Sequence, residues 1–77
     1  TTDSLSIYPN PVKNNMLFVK SKNLNKINKV EIYNSNGTLV QITEKPFVNK
    51  NYLILKNLPK GIYFAKFDLI TQKFIIE

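Results

Sequence analysis

Five carboxylates, Asp3, Glu31, Glu44, Asp68 and Glu77, are the side chains of this sequence best suited to act as acids or bases, and they are scattered along the chain with no two paired. Histidine and cysteine are both absent, which removes imidazole bases, thiolate nucleophiles, disulfides and the usual zinc and copper ligands. All eleven basic residues are lysine, so the forked guanidinium donors that clamp phosphate or read guanine are missing as well. Electrophilic support would have to come from lysine or backbone amides. These residue types point away from catalysis and bound cofactors, and toward recognition.

The formal charge of +6 suits anionic partners, although solvated lysines also keep a small β protein soluble and blunt its sheet edges. Lys60-Gly61-Ile62-Tyr63-Phe64-Ala65-Lys66-Phe67 loosely follows a strand motif of single-stranded RNA binders. It fails at Ile62, where that motif wants an aromatic, and at Tyr63, where it wants a small residue. Nucleic acid is therefore not an expected ligand. Tyr8, Tyr33, Tyr52 and Tyr63 offer the material for a carbohydrate-stacking platform, which makes an adhesive or sugar-binding sandwich the main alternative. Strand residues of a core would use the same tyrosines, and tryptophan is absent. Asn36-Gly37-Thr38 matches a glycosylation acceptor, but a tight turn explains the Asn-Gly pair without a sugar.

The elements that would carry these residues are strands. Short runs rich in Ile, Val, Tyr and Phe alternate with Asn, Gly, Pro and Lys, and helical spacing is sustained nowhere. The pattern predicts seven strands: Leu5 to Tyr8, Met16 to Lys20, Ile27 to Tyr33, Thr38 to Thr43, Tyr52 to Lys56, Ile62 to Asp68, and Gln72 to Ile76. The expected fold is all-β, an immunoglobulin-like antiparallel sandwich of about seven short strands. Val30 and Ile32 should face the core and Glu31 and Tyr33 a wetter side, while Ile62 to Asp68, apolar on both faces, should lie centrally. If the last strand packs on the core, Ile75 is a candidate inward residue. The prolines of Tyr8-Pro9-Asn10-Pro11 remove backbone donors and should end the first strand. Gly61 should need a positive φ or a close backbone approach.

With 77 residues there is room for one domain, expected at 5–77 and monomeric, with 1–4 as the end of a polar upstream linker. No apolar run is long enough to span a membrane, and Thr1 to Tyr8 lacks the features of a secretory signal. The chain reads as a piece of a longer protein.

Three segments fall in an informative order: Ile7-Tyr8-Pro9-Asn10-Pro11-Val12, Val30-Glu31-Ile32-Tyr33-Asn34 running to Gly37, and Leu58-Pro59-Lys60-Gly61-Ile62-Tyr63 before a short basic-apolar tail. Together they resemble the type A C-terminal sorting domain of the Bacteroidetes type IX (Por) secretion system, over Leu5 to Glu77. The resemblance implies a non-catalytic address that takes an upstream cargo through the outer membrane, passing through the periplasm to the cell surface or medium. It implies as partners the translocon, outer-membrane shuttle or receptor proteins, and a sortase-like cysteine protease that cuts before Leu5. It singles out Tyr8, Pro9, Asn10, Pro11, Lys60, Gly61, Tyr63 and Lys73 as recognition residues. In the tail, only Lys73 is basic and the last residue is Glu77, a departure from a doubly basic terminus. An exposed edge strand is the expected docking element.

Overall fold

The computed structural model describes residues 5–22 and 24–77; the expected linker, residues 1–4, lies outside them. Among the described residues, seven strands, β1 (Leu5–Lys13), β2 (Met16–Ser21), β3 (Lys29–Asn34), β4 (Leu39–Glu44), β5 (Tyr52–Ile54), β6 (Gly61–Phe67) and β7 (Ile70–Ile76), are accompanied by one 3₁₀ turn at Leu24–Lys26. The all-β expectation holds. The strands join in the order β4-β3-β6-β7-β1-β2-β5, antiparallel except where Val12 of β1 meets Ile76 of β7 in parallel. The neighbours β1-β2-β5 and β4-β3-β6-β7 are those that an immunoglobulin-type chain would contribute to two sheets. Here they form one continuous array, because β1 belongs to both groups.

The first strand does not end at the prolines, contrary to the sequence expectation. Leu5 to Tyr8 pair with Ser21 to Phe18 of β2; pairing then lapses until Lys13 meets Met16. Pro9 and Pro11 have no N–H to give that ladder, yet their fixed φ suits an extended chain. The strand therefore continues while its partner changes, and Val12 emerges beside β7. The Asn10–Pro11 peptide is cis.

Turn chemistry sets the remaining registers. Asn14 and Asn15 adopt φ of +57 and +56, as a two-residue primed turn between β1 and β2 requires. Asp68, at φ +55, opens the equally short turn that lets Phe67 pair with Ile70, so β7 begins two residues before its expected start. In the β3–β4 hairpin the Asn34 carboxamide accepts from the N–H groups of Asn36 and Thr38 at 2.9 and 3.0 Å. Gly37, at φ +83, supplies the backbone twist that the Asn-Gly pair led one to expect. β3 starts later than expected, after the 3₁₀ turn, and β5 is reduced to three residues.

Both groups of strands face one core. Leu17, Val19 and Leu53 come from one side, and Val30, Ile32, Ala65, Phe67 and Phe74 from the other, all essentially without solvent contact. Val30 and Ile32 point inward and Glu31 and Tyr33 are half-buried, as their alternation requires, and β6 is central, between β3 and β7. At the tail the inward residues are Phe74 and Ile76, whereas Ile75 is half-buried on the opposite side. In a run of three apolar residues the period of two leaves the inward parity unspecified.

Candidate recognition surface

Two of the three family-like segments, the proline segment and Leu58 to Tyr63, meet the tail at one end of the array, while Val30 to Gly37 lies on β3 and its hairpin beyond β6. Ile76 lies between Val12 of β1 and Gly61 of β6. One residue earlier, the N–H of Ile75 donates to the Asn10 side-chain oxygen at 3.0 Å, and Ile75 pairs with Ile62. A cleft of about 460 Å³ opens there, lined by Pro11, Val12, Lys13, Ile76 and Glu77 among others. The stiff proline segment, the glycine at the start of β6 and the tail thus form one surface.

Gly61 sits at φ +153, with only Tyr63 Cε1, at 3.9 Å, near the place of an added Cβ. The positive φ, rather than crowding, is what calls for glycine. Tyr63 is buried, its ring against Phe74 with centroids 5.7 Å apart. Its hydroxyl donates to the carbonyl of Pro59 at 2.6 Å, which ties down the Leu58-Pro59-Lys60 approach and leaves Lys60 exposed. Lys73 is exposed on β7 opposite Phe64. Of the eight candidates, Asn10, Pro11, Lys60 and Gly61 border the convergence, Tyr63 supports it from below, and Lys73 lies two residues along β7. Pro9 is within β1, and its side chain falls outside the described structure.

Tyr8 stands apart. It is 44% exposed and belongs to a cross-strand row on the outer side of β1, β2 and β5: Tyr8 against Phe18 at 5.5 Å, and Phe18 against Tyr52 at 5.8 Å. Lys50 Nζ lies 5.5 Å from the Tyr52 centroid. Rings packed against each other in this way use their faces for sheet cohesion, which leaves little of a flat sugar platform. Partial burial first, then hydrogen bonding with the neighbouring Glu31 and its charge, hold the Tyr33 phenol above the ordinary range.

Sequence reasoning missed the amides. Gln41 of β4 is buried and links the two ends of the strand order, donating to Ile54 O at 3.2 Å and accepting from Lys56 N at 2.8 Å. Gln72 of β7 donates to Leu5 O at 3.1 Å. A polar residue at an inward strand position is the one signal that could have found them. Asp68 is occupied in holding the fold, since its carboxylate accepts from the N–H groups of Asn28 and Lys29 at 3.0 and 3.2 Å. Among the described residues no cluster of three or more His, Cys, Asp or Glu could hold a metal.

Comparison with protein families matches residues 6–77 to the secretion system C-terminal sorting domain. The chain belongs to that family. It is accordingly a C-terminal sorting signal of the type IX secretion system, attached to a cargo and recognised by the secretion machinery, which directs export to the cell surface or beyond. No curated protein and no solved structure matches the chain. Within this sorting domain, the proline segment and the start of β6 converge on the end of β7.

Proposed function

We propose that the machinery reads a folded, composite address centred on the end of β7, where Asn10, Pro11, Lys60 and Gly61 converge, with Lys73 beside them. The observation that carries this reading is the meeting of β1, β6 and β7 through Ile75 and Ile76. The domain carries no chemistry of its own; it positions exposed groups for an outer-membrane shuttle or receptor after its cargo has reached the periplasm. Leu5 is the first residue of the core among those described, so a sortase-like protease cutting before it would leave the described strands intact.

The test is a passenger with a Sec signal and this chain at its C-terminus, expressed in a bacterium with the type IX apparatus. Export is expected with the apparatus and not when its pore is deleted. Asn10→Ala, Lys60→Ala and Lys73→Ala are then compared for export and for melting temperature. At least one should lower export with its melting curve unchanged. If export follows stability alone across the series, these side chains are scaffold.

A further inference from the structure

Resting on the sorting reading above, the geometry points to a specific mode of capture: we infer that an extended, acidic segment of a type IX outer-membrane component adds as a strand to the free edge of β7 at Thr71–Lys73. β7 pairs without a register break along β6 from Ile70 to Ile76, but its ladder with β1 is the single pair at Ile76, the other ties being the side-chain bonds of Asn10 and Gln72. In a regular antiparallel strand the N–H and C=O groups of alternate residues point to alternate sides. Ile75 turns its N–H toward β1, where Asn10 takes it; by the same alternation Thr71 and Lys73 turn their backbone groups to that side. There β1 has left for β2, because its prolines cannot extend a ladder. The vacated place is the next strand position of the β4-β3-β6-β7 group.

The other edges are less suited. On β5 and just beyond it, Ile54 O and Lys56 N are occupied by Gln41. On the first half of β1, Leu5 O is held by Gln72. β4 has a register shift opposite Ile32 and Tyr33, and such irregularities spoil a template for pairing. Thr71 and Lys73 are exposed, and Lys66 pairs with Thr71 across the strands, so an incoming strand meets two lysines on the outer side. That fits carboxylates, and backbone pairing would supply the attachment.

The test exchanges a backbone donor without changing charge. In the exported fusion, Thr71→Pro removes the outward N–H at an edge, where proline is tolerated, and Thr71→Val keeps it. Thr71→Pro should lower export at least tenfold relative to Thr71→Val, with the two variants melting alike. The chain has no cysteine, so Thr71→Cys and Leu39→Cys each give a single thiol for a short photo-crosslinker. An adduct with an outer-membrane component is expected from position 71 and not from 39, a readout that does not depend on the proline variant folding. Undiminished export of a folded Thr71→Pro fusion, or an adduct from position 39 alone, overturns the edge assignment and leaves the sorting reading standing. Export of the parental fusion without the apparatus defeats the sorting reading itself.

Discussion

The two seams of the molecule are closed by different means. Where β4 approaches β5, a buried glutamine gives both ends of its carboxamide to one stretch of chain, so Gln41 satisfies Ile54 O and Lys56 N together. Where β7 approaches β1, the closure is spread over Asn10 at one end and Gln72 at the other, and this stretch carries exposed Thr71 and Lys73. The first seam is part of the packed interior. The second is pinned at separate points and open beside them, which is the condition a docking edge needs.

The largest effect should come from the core beneath the second seam. Phe74 is fully buried, stacks on Tyr63 and sits in β7 between Gln72 and Ile75, both of which bond to β1. Phe74→Ala is expected to cost about 3–5 kcal/mol through lost contacts and the cavity left behind. In denaturant melts of the isolated domain it should be barely folded, and export should fail for that reason. Near-parental stability would mean that the two groups of strands do not share one core.

Gln41→Ala comes next, and it probes the closed seam. It leaves a carbonyl and an N–H in a part-buried place without partners, which should cost about 2–3 kcal/mol. Its melting temperature should fall by about 10–20 °C for a domain of this size. At the open seam, Gln72→Ala removes one part-buried bond where Gln41→Ala removes two, so about 1 kcal/mol is expected. If the two variants melt alike, the contrast between the seams is wrong.

Much of this was legible in the sequence. Alternation in Val30-Glu31-Ile32-Tyr33 identifies a core face, and the Asn-Gly pair locates the β3–β4 turn, because both signals are local. The family segments were visible as spacing, but their convergence depends on β1 changing partners, a long-range event that proline chemistry permits without announcing. Reading Pro9 and Pro11 as a strand end follows from their missing donors, and what it misses is that extended φ survives. The Asn14-Asn15 turn carried a signal in its residue types, since asparagine tolerates positive φ. The roles of Gln41 and Gln72 could not be read, because a polar residue on an inward position shows only that a partner is needed, and the partners are 13 and 67 residues away.

The smallest expected effect on folding belongs to Lys73→Ala, and it is the one that separates folding from recognition. The side chain is exposed, and among the described residues no hydrogen bond or ring contact engages it. Surface substitutions away from caps, cores and special backbone geometry usually stay within about 0.5 kcal/mol, so the melting temperature should move by no more than about 4 °C. Asn10→Ala serves as its neighbour in space: it loses one exposed bond to Ile75 N, costs about 1 kcal/mol at most, and loosens the pin at which β1 leaves β7. If charge at the β7 edge guides the incoming segment, Lys73→Ala should lower export as added salt lowers that of the parental fusion, since exposed charges are screened within about 10 Å at 0.1 M. Asn10→Ala acts on the shape of the seam, so its defect should not respond to salt. Equal salt response in the two variants would assign both effects to the fold, and the open seam would then be a structural feature without a charged reader.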